Sequence, residues 1–483
     1  MFLTLTFITV LVAIFSIFFS KKNNIQLIRY CSLILSGLAL LFSTLIIIFF
    51  VKNSFYFQNI VTYNIGSDFI NLFFIFGLDG ISLFFFFLST LLTFLCILFI
   101  WEDTNFKQNV LLLFIIEFFL LITFSTLDLF LFYTFFESLL MPMYILIGFG
   151  GSRERKIRAA YLFFFYTLCG SIFLLVGLLY LYNLTGSLNL EYLLYWNFSW
   201  IEQIFLWFAF FFAFASKIPI FPFHIWLPEA HVEAPTIGSV LLAGILLKLG
   251  VYGFLRFSIT LFPDASLFFS PFVYLLSVLG VLYASVTAIR QTDLKRIIAY
   301  SSVAHMNLIS LGIFSFNTLG IEGAIFQSIS HGFVSAGIFL LIGILYDRYH
   351  TRFVYYYGGL VHLMPIYSVF FLIFTLANIA VPGTSSFIGE FLLLCGIFKI
   401  NIFLSIISAI SVILGGGYSL WLYNRIIFGN LKINYTKEFN DINLREIFVI
   451  FPLFFFLFLM GITPTFFLSF FHLSTYNVSF NFI

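Results

Sequence analysis

The chain has 483 residues, 62% of them apolar and only 9% charged, with a formal net charge of +2. Ordinary soluble domains carry about 25% charged residues, and a soluble fold of this length cannot enclose so much apolar surface. The composition excludes a soluble enzyme, and the balanced charge excludes a nucleic-acid partner, so the chain reads as a polytopic membrane protein. Its 76 phenylalanines read as lipid-facing filler of the kind an A+T-rich genome supplies. The four cysteines, Cys31, Cys96, Cys169 and Cys395, are far apart, form no CxxC pair and have no metal-ligand spacing; they read as small core residues.

The first apolar segment, Phe2 to Phe19, has no basic residues ahead of it and no small-residue cleavage site. It is expected to be a transmembrane helix and not a signal peptide, and no Arg/Ser-rich presequence is seen. About 20 apolar residues cross a bilayer, a length that predicts about fourteen spans. They are placed at 2–20, 28–50, 72–100, 108–123, 128–148, 157–183, 202–230, 234–258, 271–290, 294–315, 321–346, 364–398, 403–428 and 447–470. No strand is predicted.

Two spans are predicted to break, the seventh around Pro219 and Pro222 and the twelfth around "VPGTSS" (Val381–Ser386). Proline lacks a backbone donor and clashes with the preceding turn. Freed backbone groups at membrane depth persist only where protein or a water-filled cavity satisfies them, so broken helices mark a pathway.

Loops after the odd-numbered spans hold about 17 of the 22 Lys/Arg residues, among them Lys21, Lys22, Arg29, "SRERKIR" (Ser152–Arg158), Arg290, Lys295, Arg296 and the basic residues from Arg425 to Arg445. The opposite face has Lys52, Arg256 and Lys399. The positive-inside rule then predicts both termini on the outer side. Residues 1–107 hold spans 1–3, and residues 447–483 hold span 14 and the tail. Between them, 108–258 (spans 4–8) and 271–428 (spans 9–13) are expected to be two five-helix repeats. Each has a polar residue on its second helix (Glu137; His305) and an ionisable group on a broken fourth helix (Lys217; Glu390). Because five is odd, the second unit would be inverted in the membrane, as in many transporters.

A charge at bilayer depth costs roughly 2.5–3.5 kcal/mol on insertion scales and is retained for function. Four within spans are singled out: Glu137, Lys217, Lys248 and Glu390. His224, His305 and His331 lie deep or near a break, whereas His231, His350, His362 and His472 lie near loops or ends, where solvation is expected. Glu117 sits inside span 4 with no polar neighbours in sequence. Two acids, two lysines and several imidazoles, with no metal-ligand spacing, no nucleophile–base pair and no nucleotide-binding glycine loop, suit reversible proton transfer. Moving a proton against roughly 100–200 mV costs about 2.3–4.6 kcal/mol, which a swing of about two to three pKa units would supply.

The stretch "SKIPIFPFHIWLPEAHVEAPTIGSVLLAGILLKLGVYGFLR" (Ser216–Arg256) resembles the signature of the antiporter-like subunits of respiratory complex I. So do "FYTFFESLLMPMYILIG", "GSRERKIRAAYLFFFYTLCGS", "DLKRIIAYSSVAHMNL" and "HGFVSAGIF", and the whole chain fits. The resemblance implies that Glu137 and Lys217 pair between spans 5 and 7, that Lys248 is a central relay on span 8, and that His224 lies at the span 7 break. It also implies that His305 and His331 continue a hydrated axis to Glu390 on span 12. Within the family, Glu390 separates this chain from paralogues expected to carry lysine there, and the close of the chain soon after span 14 predicts no long lateral C-terminal helix.

The function so implied is proton translocation in NADH:ubiquinone oxidoreductase of the mitochondrial inner membrane. No redox chemistry and no cofactor are expected in this chain. Flavin (FMN), iron–sulfur clusters and ubiquinone would be held by other subunits, with neighbouring antiporter-like subunits as partners. A subunit of a multisubunit cation/proton antiporter is the alternative; co-purification with NADH oxidation separates the two. A purely structural scaffold leaves four buried charges without a reason.

Overall fold

A computed structural model describes residues 1–480 except 22–23, 53, 55, 68–69, 152–153, 433–434 and 436–439. Lys22, Lys437 and the first two residues of the basic stretch at 152–158 therefore lie outside the described residues. Among those described, eleven helices are long and apolar enough to cross a membrane. Three of the expected spans fall outside that set. Spans 7 and 12 are each divided into two shorter helices, and span 10 (Leu294–Ile313) carries the polar run "KRIIAYSSVAHMN".

In chain order, spans 1 and 2 are Phe2–Phe19 and Ile25–Ile48, followed by span 3 (Gly80–Phe99), span 4 (Phe106–Ser125), span 5 (Leu129–Gly150) and span 6 (Lys156–Thr185). Span 7 comprises Trp200–Lys217 and Trp226–Glu233, and span 8 is Thr236–Leu261. Spans 9 and 11 are Ser270–Arg290 and Thr318–Tyr349. Span 12 comprises Pro365–Asn378 and Ser385–Ile400, followed by span 13 (Ile402–Ile427) and span 14 (Leu444–Ile462), which continues beyond Pro464 as Pro464–Phe480. Spans 8 and 11 are buried along their most apolar stretch, whereas spans 2 and 13 bury little of theirs. The bundle is thus built around 8 and 11, which carry Lys248 and His331.

The expectation of no strands is overturned. Gln58–Ser67 (β1) and Ile70–Leu78 (β2) form an antiparallel hairpin, with Val61 opposite Phe76 and Tyr63 opposite Phe74. Span 3 consequently begins at Gly80 and not at residue 72. The apolar run "FFIFGLDGISLFFFF" has no periodicity that separates strand from helix. The boundary is set by Asp79, whose side chain accepts from the Ser82 amide at 3.0 Å while the Ser82 hydroxyl accepts from the Asp79 amide at 3.0 Å, a capping box.

Asp128 caps span 5 through the Phe130 and Leu131 amides (2.9 Å each), and Asn317 caps span 11 through the Gly320 amide (2.7 Å). The hairpin reaches the start of span 5 through the Leu127 amide and Ile75 carbonyl (2.9 Å). Charged contacts also join the far end of span 7 to the start of span 10 and the residues after span 11. Arg296 meets Glu229 at 2.7 Å, Lys295 donates to the Ala234 carbonyl at 2.7 Å, and Arg352 lies 3.6 Å from Glu233. Lys295, counted from sequence as a loop cation, is buried in the first turn of span 10.

Arg256 is corrected likewise: it lies inside span 8, buried and paired with Asp79. Of the cysteines only Cys96 is a core residue, because Cys169 is exposed and Cys31 and Cys395 are half-buried.

Candidate functional site

Both predicted breaks are present, and the protein satisfies much of what they free. Span 7 unwinds immediately after Lys217. The Trp226 indole donates to the Ser216 carbonyl at 2.9 Å, and the Asn307 amide of span 10 donates to the Pro219 carbonyl at 3.3 Å. In span 12 the Val381 amide reaches the Leu376 carbonyl at 3.1 Å, and the Ser386 hydroxyl bonds the Ala377 carbonyl. Gly383 turns the chain at φ +96°, where a side chain would be strained. A Cβ on Gly461 of span 14 would stand 2.3 Å from the Gly383 carbonyl oxygen, so glycine is what lets that span close over the break.

A milder irregularity was not predicted. Span 5 is interrupted at Leu139, one turn before Pro142, which has no N–H to continue the ladder. Glu137 lies just ahead of it.

Span 8 is wound in two π turns, Leu242–Leu246 and Phe254–Ser258, on either side of Lys248. Such bulges free carbonyls from the regular ladder and recur at functional sites. The Lys248 ammonium donates to the Ala243 carbonyl in the first of these turns and lies 2.9 Å from His331 Nδ1. His331 Nε2 faces the Ser302 hydroxyl at 3.2 Å, and its ring is 5.7 Å, centre to centre, from that of His305. His305 Nδ1 is 3.0 Å from Glu390 Oε1, which also accepts from the Gln327 amide at 3.2 Å. A space of about 10 Å³, the scale of one water, is bordered by His305, Glu390, Asn378, Ser411 and Tyr418. Four of the expected residues thus form two bonded pairs, Lys248–His331 and His305–Glu390, whose imidazoles are neighbours across spans 11 and 10, with His305 Nε2 buried and without a hydrogen-bond partner.

Lys217 and Glu137 lie apart from those pairs. They are within electrostatic reach of each other, with Ser171 beside the carboxylate. No direct ion pair joins them, and the Lys217 ammonium lies over the Phe136 ring at 4.6 Å. One Glu137 oxygen is buried without a partner.

His224 is buried between Phe221 and Tyr283, with ring centres at 5.5 and 5.2 Å. No hydrogen bond or ion pair ties it to Lys217 or to the Lys248–Glu390 chain among the described residues. Glu117 is fully buried near Thr93 on span 3, and neither of its oxygens has a hydrogen-bond partner.

One histidine was misjudged from sequence. His231, expected to be solvated near a loop, is fully buried and stacked on Phe339 at 4.8 Å, because the second half of span 7 packs into the bundle and not onto its surface. Its electrostatic neighbours are Lys295 and Lys248. Gln327 and Ser302 were not singled out, although a signal existed. Gln327 is four residues before His331 and Ser302 three before His305, the spacing that puts helix residues on one face. Among the described residues no three His, Cys, Asp or Glu side chains converge as metal ligands.

Residues 126–420 match the family model described as NADH:quinone oxidoreductase/Mrp antiporter, transmembrane. The chain is 52% identical to NADH-ubiquinone oxidoreductase chain 4 of Chondrus crispus over 478 residues, covering 99% of this chain and 97% of that one. It is 51% identical to the protein of that name from Arabidopsis thaliana, covering 95% and 93%. Among solved structures, a chain of respiratory complex I from Thermus thermophilus with bound NADH superposes with a TM-score of 0.88 at 29% identity, over 100% of this chain and 99% of that one. The fold, the buried charges and a likeness that runs end to end place the chain in the NADH-ubiquinone oxidoreductase chain 4 family, the antiporter-like membrane subunits of complex I.

Proposed function

We propose that the chain carries protons across a membrane as a subunit of NADH:ubiquinone oxidoreductase, through Glu137, Lys217, Lys248, His331, His305 and Glu390. The observation that carries the reading is the approach of two buried pairs, Lys248–His331 at 2.9 Å and His305–Glu390 at 3.0 Å, whose imidazole rings stand 5.7 Å apart, centre to centre. Imidazole takes a proton on one nitrogen and releases it from the other, and a lysine in a buried site can change its charge state. A carboxylate at the end of the chain receives the proton or attracts it. Glu137 acts on Lys217 through space, so moving or neutralising the carboxylate biases the lysine toward giving up its proton. His224 contributes by holding the unwound segment of span 7.

The same reading puts the chain in the mitochondrial inner membrane, beside other antiporter-like subunits, with flavin, iron–sulfur clusters and quinone held elsewhere in the assembly. The excess of basic residues on the face opposite the hairpin supports a matrix location for that face and an intermembrane-space location for both termini. Residues 108–258 and 271–428 act as two inverted units, each with its fourth helix broken. The test is proton uptake by closed vesicles containing the purified complex, driven by NADH. Uptake that is lost with Glu390→Gln while the complex stays assembled supports the reading, and uptake that is unchanged overturns it.

A further inference from the structure

Span 8 holds a second buried cation that the proton chain does not use. Arg256 lies eight residues beyond Lys248, about 12 Å along the helix, toward the face covered by the hairpin. Its guanidinium donates to Asp79 at the cap of span 3 and, at 3.4 Å, to the Tyr252 hydroxyl. The Phe57 and Tyr252 rings pack against it at 5.0 and 5.4 Å. Arg256 is 7% exposed, Asp79 8% and Tyr252 1%. No other charged residue occurs on span 8 between Lys248 and Arg256. Lys248 is turned the other way, toward Ala243 and His331.

A proton-carrying lysine inside a membrane presents a physical difficulty: it must lose its proton sideways and not straight out along its own helix. Arginine is suited to preventing that loss. Its guanidinium stays protonated at any working pH, so it cannot take a proton and pass it on. A fixed positive charge in a poorly polarisable surrounding raises the energy of an approaching proton, the device by which aqueous pores exclude protons. Asp79 stands at the start of span 3 and Arg256 more than a turn inside the end of span 8. Arg256 therefore stands on span 8 between Lys248 and the hairpin-side end, and the Asp79 carboxylate offsets part of the cost of burying it.

Resting on the proton-carrying reading above, we propose that Arg256, held by Asp79 and Tyr252, is an electrostatic plug that closes span 8 between Lys248 and the hairpin face. A proton on Lys248 is then left with the route through His331.

The test uses the assembled complex in closed vesicles without NADH, a pH step across the membrane, and a trapped pH dye. Arg256→Gln combined with Asp79→Asn removes the charge without leaving an unpaired partner, and should speed the decay of the gradient several-fold. Asp79→Asn alone keeps the cation and a side chain able to cap Ser82, and should stay as tight as the parent. Adding Lys248→Met to the double variant should restore tightness, since the leak would run through that lysine. A tight double variant, an Asp79→Asn variant as leaky as the double, or a leak that survives Lys248→Met would each overturn the plug. Where the double variant does not assemble, Asp79→Asn decides alone: tightness supports the plug and a leak overturns it. Lys248→Met by itself separates the two readings, because NADH-driven pumping retained in that variant contradicts the proton-carrying reading, whereas a tight double variant contradicts only the plug.

Discussion

Lys248 and His331 meet at 2.9 Å, ammonium nitrogen to Nδ1, with 0% and 3% of each residue exposed. The two come from spans 8 and 11, the most buried helices of the bundle. At this distance the two nitrogens are in hydrogen-bond contact, between a group that is cationic when protonated and one that is neutral when deprotonated. His331→Leu fills the site but removes both the hydrogen-bond partner of Lys248 and the imidazole next to His305. Proton pumping should fall at least tenfold, measured as gradient formation per NADH oxidised, while the amount of assembled complex is retained.

Glu390 and His305 form the far end, and their 3.0 Å contact makes them one unit. Glu390→Gln and His305→Gln should each abolish most pumping, and the double variant should be no worse than the poorer single. Residues in direct contact depart from additivity in this way. Strictly additive losses in a double-mutant cycle would show that the two act separately.

Lys217 sits where span 7 unwinds, above the Phe136 ring. Lys217→Met keeps comparable volume in an apolar site and should abolish pumping without unfolding the span. Lys217→Arg keeps the charge, yet its guanidinium does not release a proton, so it should be nearly as damaging. Normal pumping by the arginine variant in reconstituted vesicles would make Lys217 a fixed cation.

The breaks are held by specific bonds, and their loss should be seen in stability before it is seen in chemistry. Asn307→Ala leaves the Pro219 carbonyl without its side-chain donor, and Trp226→Phe does the same to the Ser216 carbonyl. Each buried acceptor left unpaired costs about 1–3 kcal/mol. Gly461→Ala forces a methyl group to within 2.3 Å of the Gly383 oxygen unless span 14 shifts. All three should lower the thermal stability of the complex, with Gly461→Ala the most severe.

The spans were legible because bilayer thickness fixes their length, and the breaks because proline and glycine act locally. The charges on the axis were legible because a charged group in an apolar run is too costly to be incidental. What escaped depends on tertiary contact. The hairpin at 58–78 merges into the apolar run of span 3, and only its partner strand and the Asp79 cap divide them. His231 looks like a loop residue until the second half of span 7 packs into the bundle, and Arg256 looks like a loop cation until Asp79, 177 residues away, meets it. The expected Glu137–Lys217 pair is a through-space relationship, and the Phe136 ring against the ammonium was not legible in the sequence. His224, singled out by its place beside the break, stands in an aromatic pocket of its own.

The number of protons moved per NADH oxidised, compared between the parent complex and Lys248→Met in the same closed vesicles, tests the central claim most directly. Lys248 is the one charged group on span 8 that contacts the histidine chain, and methionine removes its proton-carrying nitrogen while filling the site. A proton relay through Lys248 requires a clear drop in that ratio, or a loss of NADH oxidation in proportion to its coupling to this chain, with the complex fully assembled. An unchanged ratio at an unchanged rate would contradict it.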